Sequence, residues 1–486
     1  MRRSLRTFRP LPAVALLALS IVSCPVNPAT GERQLILISE RQEIEMGREG
    51  AKQVEAIIGL YDDPDLQAYV DEIGQELAAK SERPHLPWSF KVVDDPVVNA
   101  FALPGGFIYV TRGILGYFNS QAELAAVVGH EIGHVTARHS AEQLSRAQVA
   151  QLGVGVGVVF VPEIAQYSDF LSLGLNLMFL KFSRDDERQA DDLGLRYMSR
   201  GGYDPDEMVD VFTMLGRVSE AAGGSGLPSW FSTHPDPGER QQRIERAIAQ
   251  AGTASGGTVG SDRYLQMIDG IVFGENPRQG FFRGGTFMHP DLEFRFEFPS
   301  DWQTQNMPQA VAGLSPQEDA IIQLTLADSS SVDAAARNFL AESGVQAGST
   351  FSQSVNGLPA YWAYFGATTQ SGSELRGLVV FVEHQGHIYQ LLGYTIADRM
   401  GTYDPLFQRS LASFEQLTDP AALNVQPSRI ELVRLDREMT LQQFAERYPS
   451  TLPTATLALI NNLDEGATIP RGAQVKRVVG GVMPEQ

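Results

Sequence analysis

Cysteine is almost absent: there is one in 486 residues, at position 24. That excludes an intramolecular disulfide and any site built from paired cysteines, whether zinc ribbon or iron–sulfur cluster. Basic residues are also scarce, 38 Lys and Arg against 58 Asp and Glu, for a formal charge of −20. Such a chain has little to gain from counterion release on a phosphate backbone, so no nucleic acid is expected as a partner. Uninterrupted apolar runs of the about 20 residues that a bilayer span requires are missing too. What remains is ordinary globular material, 43% apolar and 20% charged. Its length suits about three domains of roughly 150 residues each.

The first residues carry a processing pattern. Arg2, Arg3, Arg6 and Arg9 precede an apolar run from Leu11 to Val22, and small residues follow, which reads as a secretory signal over residues 1–23. Ile21-Val22-Ser23-Cys24 resembles a bacterial lipobox, whose cysteine becomes the acylated first residue of the mature protein. The sole thiol falls where a lipid thioether would go, so Cys24 is the expected lipidation site. Loss of residues 1–23 removes four arginines and no acid, taking the charge from −20 to −24. Acyl chains, not electrostatics, would then hold the protein to a membrane. Pro25 rather than an aspartate follows Cys24, which by resemblance to Gram-negative lipoproteins implies the periplasmic side of the outer membrane. Residues 24–38 read as a short tether.

Beyond it, Ser39-x-x-Gln42 is a capping box that opens a helix through about Ile58. Asp65 to Lys80 repeats apolar residues at helical spacing. Phe90–Val93, Val97–Ala102 and Phe107–Thr111 read as strands, the last two joined through Pro104-Gly105-Gly106. Ser120-x-x-Glu123 is a second capping box, and its helix is expected to run to about Ala150. Residues 149–182 are apolar and glycine-rich but broken by Glu163, Gln166 and Asp169, which suits a mobile cover, a membrane-facing helix pair or a core helix. Small residues from Ala251 to Gly257 read as a linker.

Inside the Ser120 helix stands His130-Glu131-Ile132-Gly133-His134, the HExxH zinc pattern. At helical pitch its two histidines lie about 40° apart and one turn along, so both can reach one ion. Glu131 lies on the flank of that face, where its carboxylate can hold the attacking water. A third protein ligand is required. His139, nine residues after His130, is expected about 180° around the helix and facing away, as a surface or supporting residue. Ser183 to Asp191 supplies acids instead: Glu187 and Asp191 share one helix face, one suited to the ion and the other to a ligand imidazole. Periodicity alone does not choose Glu187 over Asp186.

HExxH followed by Glu187-x-x-Ala190-Asp191 resembles the zinc metallopeptidase family of the CAAX prenyl proteases, the HtpX-type membrane proteases and the periplasmic BepA-type lipoproteins. Asn27-Pro28-Ala29-Thr30-Gly31, Asn99-Ala100-Phe101-Ala102-Leu103-Pro104-Gly105-Gly106, and Ser232-Thr233-His234-Pro235 with Arg240 agree with it. The resemblance implies a zinc peptidase domain over residues 39–251, with one Zn2+ held by His130, His134 and Glu187, and Glu131 as general base. Asp191 and Arg240 would support these ligands. Val97–Ala102 would be an edge strand above the zinc that pairs with an extended peptide, with Asn99, Phe101 and Ala102 as substrate-binding residues. His234, in a Pro-flanked loop, would either stabilise the developing oxyanion or occupy the open zinc position as a latch. The chain departs from the membrane branches in lacking transmembrane helices, and from BepA-type relatives in lacking tetratricopeptide-like repeats after residue 250.

The C-terminal half is less informative. After a linker at 252–262, residues 263–418 mix strands and helices: Phe287–Phe298 reads as a strand, Val332–Leu340 and Tyr403–Phe414 as helices, and a hairpin turns at Gln385-Gly386. They hold no catalytic constellation. Residues 429–480, with Thr440–Tyr448, Leu459–Leu463 and Ile469–Val475, resemble a LysM glycan-binding module, although Glu438-Met439 replaces the usual Gly-Asp. The expected fold class is α+β: a mainly helical peptidase domain with a small edge-strand sheet, an α+β domain, and a LysM-like tail. The expected protein is a lipid-anchored zinc endopeptidase acting on misfolded or misassembled envelope proteins, with peptidoglycan as a further partner. Its competitor is a non-catalytic envelope chaperone or glycan-bound adaptor built on a peptidase scaffold.

Overall fold

The computed structural model describes residues 26–153, 181–221, 230, 234, 237–251, 256–368 and 373–481. Cys24, and residues 154–180 of the apolar stretch, lie outside the described residues. The fold is α+β.

Both predicted capping boxes form. Helix α1 (Glu40–Ile57) starts at Ser39 and is followed by α2 (Pro64–Ala78). Strands β1 (Ser89–Val93), β2 (Ala100–Leu103) and β3 (Phe107–Thr111) make a sheet of order β1-β3-β2, with β2 antiparallel to β3 at an edge. The turn between β2 and β3 needs left-handed backbone at Gly105 (φ 81°) and Gly106 (φ 105°), which is why two glycines stand there. Strand β2 starts at Ala100, later than the expected Val97. The Asn99 carboxamide accepts from the Ala100 N–H and the Thr111 hydroxyl bonds the Val97 and Asn99 carbonyls, local bonds that compete with ladder pairing.

After a one-turn helix α3 (Arg112–Leu115), α4 (Gln121–Ala137) runs through the middle of this unit, buried from Ala122 to Ala137 on every side. A helix covered all round belongs in a core. It does not continue to Ala150. Arg138 takes left-handed backbone (φ 62°, ψ 33°), and a new helix, α5 (His139–Gly153), begins at once. Left-handed backbone costs a non-glycine residue about 1–2 kcal/mol. A buried ion network offsets this cost: the Arg138 guanidinium donates to Glu43 (3.0 Å) and to the Ile38 carbonyl (2.8 Å), while Arg83 joins Glu43 to the Val135 carbonyl.

Helices α6 (Arg184–Arg200), α7 (Asp206–Ala221) and α8 (Pro237–Ala251) complete the unit. Helix α6 lies against α4 at a distance set by small residues. A Cβ on Gly133 would stand 2.9 Å from the Ala190 carbonyl oxygen, and one on Gly194 would stand 2.9 Å from the His130 nitrogen.

The domain boundaries differ from expectation in two places. Residues 26–38 are not a free tether: Ile36 and Ile38 are buried with Ala141, and the Leu37 N–H donates to Ser145. Helix α9 (Ser261–Ile268), assigned from sequence mostly to the following domain, puts Tyr264, Leu265 and Ile268 into the same core as α2 and α4. Amphipathic spacing marks a buried face without saying which core covers it.

The middle unit is built on a fully antiparallel sheet of order β10-β11-β12-β13-β9-β8-β7. Its strands are β7 (Gln303–Met307), β8 (Ala310–Leu314), β9 (Ala320–Ala327), β10 (Val345–Ser352), β11 (Ala360–Thr368), β12 (Glu374–His384) and β13 (His387–Ile396). A smaller sheet holds β4 (Phe281–Arg283), β5 (Thr286–His289), β6 (Phe294–Glu297) and β14 (Glu415–Gln416). Helices α10 (Val332–Leu340), α11 (Met400–Leu411) and α12 (Pro420–Leu423) accompany them. The expected hairpin turns at Gln385 (φ 49°) and Gly386 (φ 77°), whereas Phe287–Phe298, expected as one strand, is the hairpin of β5 and β6.

The tail runs β15 (Ser428–Arg434), β16 (Met439–Thr440), α13 (Leu441–Arg447), α14 (Thr454–Ile460), β17 (Thr468–Ile469) and β18 (Gln474–Gly480). It shares a hydrophobic core with the first unit. The buried Lys476 ammonium donates to the Gly116 (3.0 Å) and Phe118 (2.7 Å) carbonyls, just ahead of the α4 N-terminus. Among the described residues no helix is long and apolar enough to cross a membrane.

Candidate metal centre

Because α4 and α6 approach so closely, His130, His134 and Glu187 meet between them. The two Nε2 atoms of His130 and His134 are 3.0 Å apart. Glu187 Oε1 lies 3.4 Å from His134 Nε2, and its Oε2 lies 3.6 Å from His130 Nε2. His234 joins them: its Nδ1 stands 3.3 Å from His130 Nε2 and 3.0 Å from Glu187 Oε1. One donor atom from each of the four falls within 4.8 Å of the others, and all four side chains are buried. Four ligands about 2.1 Å from a tetrahedral zinc are separated by about 3.4 Å. The five pair distances given above, 3.0 to 3.6 Å, lie on both sides of that value, within a set whose donors all fall within 4.8 Å. Imidazole and carboxylate donors also suit zinc chemically, so the residues present fit one zinc ion.

Behind the donors stands a second ring. Asp191 Oδ1 is 3.0 Å from His130 Nδ1. Arg240 on α8 clamps Asp191 through Nε (2.9 Å) and Nη2 (2.7 Å), while its Nη1 is 2.7 Å from Glu187 Oε2. Asp186, the alternative to Glu187, closes the capping box at Ser183, and Asp185 pairs with Arg188 at the surface. Burial lowers the His130 imidazole to about 3 against the pull of Asp191, and burial lowers His134 as well, so both rings are neutral with a lone pair to offer. Burial alone would raise Glu187, but the His234 and His134 rings and Arg240 hold it well below the usual carboxylate range. Asp191 is held at about 2 against burial, chiefly by Arg240.

Glu131 is the exception. Burial and the Glu187 charge push it well above its ordinary value, opposed by Arg240 and the Ala102 backbone N–H. Neither of its oxygens reaches hydrogen-bond geometry with a described group, and His234 Nε2 stands 3.6 Å away. A divalent cation beside it would reverse this penalty.

Strand β2 is an edge, and Ala102 is close to Glu131. The Asn99 carboxamide is engaged by its own backbone, and the Phe101 ring stacks on Tyr109 in the cluster under α1 (5.2 Å between centroids). A chain laid along β2 would therefore meet the backbone of Phe101, not its ring.

His139 corrects the sequence reading. The break at Arg138 turns it back toward the site, so it does not face away: it is 2% exposed, with Nδ1 2.9 Å from His134 Nδ1. Periodicity missed this because no glycine or proline marks the break. Trp230, whose ring stacks on His234 at 4.1 Å, and Phe182, stacked on His134 at 4.0 Å, were missed for want of any spacing that ties them to the motif.

Two helices crossing through small residues, with HExxH histidines on one, a glutamate on the other and a buried acid beside them, make a candidate centre for one zinc ion. Residues 64–248 match the model of Peptidase family M48, so this region of the chain is similar to that family. The mitochondrial metalloendopeptidase OMA1 of Schizosaccharomyces pombe is 36% identical over 184 residues, covering 38% of this chain and 53% of that protein. Its Arabidopsis thaliana namesake is 37% identical over 171 residues, covering 35% and 33%. The beta-barrel assembly-enhancing protease of Yersinia pestis is 30% identical over 222 residues, covering 44% and 45%. The chain thus spans between a third and about half of the length of these relatives. Among solved structures, cyanobacterial PsbP (CyanoP) from Synechocystis sp. PCC 6803 aligns with 27% of this chain and 91% of its own, at 14% identity and a TM-score of 0.23.

Proposed function

We propose that this chain is a zinc-dependent endopeptidase, anchored by lipid at Cys24 to the periplasmic face of an outer membrane, that cleaves misfolded or misassembled envelope proteins. The observation that carries the catalytic reading is the convergence of His130, His134 and Glu187 beside the buried carboxyl group of Glu131. Zinc, when bound, polarises a scissile carbonyl and makes its water acidic. Glu131 accepts the proton of the attacking water and passes it to the leaving amine. Asp191 and Arg240 hold His130 and Glu187 in place. Among the described residues strand β2 pairs with β3 alone, and its other edge would take an extended peptide next to Glu131. The test is digestion of unfolded casein with zinc content measured alongside: chelation should stop it and stoichiometric zinc should restore it. Activity that survives complete metal removal would overturn the reading.

His234 reads best as a latch. Its Nδ1 stands among the three ligands, where the attacking water must sit, and the Trp230 N–H donates to the Val98 carbonyl just ahead of β2 (3.3 Å). His234→Ala should then raise casein hydrolysis, by about tenfold if the latch is closed nine-tenths of the time. An oxyanion donor would instead lose about 10²–10³-fold on the same change. Unchanged turnover would remove both roles.

The envelope assignment rests on the lipobox resemblance and on the name of the beta-barrel assembly-enhancing relatives. Cys24→Ser should yield an unprocessed or freely soluble protein, while the wild type fractionates with outer membrane. An unmodified mature N-terminus at another residue, seen by mass spectrometry, would contradict the anchor. The strand–helix–helix–strand order of β15, α13, α14 and β18 supports a LysM-like tail with peptidoglycan as its partner.

A further inference from the structure

The two ligand histidines of α4 are supported differently. His130 Nδ1 faces a carboxylate, Asp191, which accepts its proton and leaves Nε2 bare for a metal. Among the described residues no carboxylate faces His134 Nδ1. That atom faces the Nδ1 of His139 at 2.9 Å, and a pair of imidazole nitrogens is ambiguous, since either ring can be the donor. Only one of the two arrangements leaves His134 Nε2 without a proton.

The ambiguity is resolved from the far side of His139. Its Nε2 is 2.9 Å from Gln189 Oε1, whereas Asp186 is 3.7 Å away, beyond hydrogen-bond reach. Gln189 Oε1 also accepts from Asn27 Nδ2 at 2.9 Å. Asn27 is 1% exposed, and its own Oδ1 accepts the Ala29 backbone N–H at 2.8 Å. A backbone N–H can only donate, so it orients the Asn27 carboxamide with its NH2 toward Gln189. Gln189 must then present oxygen, His139 must donate from Nε2, and the His139 Nδ1 is left as an acceptor. His134 has to donate from Nδ1, and its Nε2 keeps the lone pair that points at Glu187 and His130.

We propose that His139, Gln189 and Asn27 form a one-way hydrogen-bond chain that sets the tautomer of His134, so that docking of the turn at residues 27–31 tunes metal affinity. The proposal rests on His134 being a ligand. His139 is a positioning residue in it, and the first described turn of the chain is part of the metal site although it lies 162 residues from Gln189.

The test measures zinc affinity of the full chain by competition with a chromophoric chelator, together with melting of the metal-free protein and the proton spectrum of the zinc form. His139→Ala should weaken zinc binding about 10–100-fold. His139→Asn, whose carboxamide oxygen can stand near the lost Nδ1, should bind close to wild type. Asn27→Asp is nearly isosteric but cannot donate to Gln189, so it should weaken zinc beyond what the cost of burying a carboxylate, read from the metal-free melting temperature, accounts for. In the zinc form the hydrogen-bonded His134 Nδ1–H should give a downfield proton resonance that is lost in His139→Ala and kept in His139→Asn. Wild-type affinity in both His139→Ala and Asn27→Asp would overturn the proposal, as would equal weakening by His139→Asn and His139→Ala. His134→Ala separates the two levels: if it loses zinc while the chain variants do not, the chain alone falls; if it too keeps zinc, His134 is no ligand and the reading on which the proposal rests falls.

Discussion

Glu131→Gln is expected to keep zinc in the site and to lose about 10²–10⁴-fold in peptide hydrolysis, the range a positioned general base supplies. The side chain is 1% exposed, in a pocket that burial and Glu187 make hostile to negative charge, and no described group satisfies either oxygen. The amide has almost the same volume and removes the charge, so fold and ligand geometry should survive. What it cannot do is accept a proton from water. Casein turnover and zinc content measured on the same preparation check this. Full turnover in the variant, with other proteases excluded, would sink the assignment of Glu131.

Glu187→Ala is expected to lower zinc affinity by more than about 10²-fold, the upper end of what losing an outer partner costs. Glu187 is the only carboxylate among the four converging donors, and its removal leaves two α4 histidines and His234. It also deprives the buried Arg240 of one of its two carboxylate partners. Glu187→Gln separates these effects, because the amide can still accept from Arg240 while a neutral oxygen is a poorer zinc ligand. Chelator competition on both variants is the measurement. Unchanged affinity in Glu187→Ala would hand the role to Asp191, since Asp185 and Asp186 are engaged at the surface and in the helix cap.

Local chemistry carried much of this protein's design in plain view. Capping boxes at Ser39 and Ser120 start the helices where they stand, since a hydroxyl and an acid or amide three residues on satisfy each other's neighbours without help from the rest of the chain. Gln385-Gly386 turns its hairpin with both residues in left-handed backbone, which the glycine adopts at no steric cost. His130 and His134 meet because helical pitch brings residues four apart onto one face.

Tertiary structure decided the rest. The choice of Glu187 over Asp186 depends on which of two adjacent carboxylates α6 turns toward α4, and that is set by the small residues at their crossing. The direction of His139 depends on Arg138, held in left-handed backbone by Glu43 from 95 residues away. Residues 26–38 and the C-terminal tail look like separate pieces when read for composition, yet both bury against the peptidase unit. By itself the sequence determined the caps, the turns and the pair of histidines, because those interactions close within a few residues. The ligand from α6, the backing of His134 and the seating of both ends were left to the folded state, where partners far apart in the chain are chosen by burial and charge.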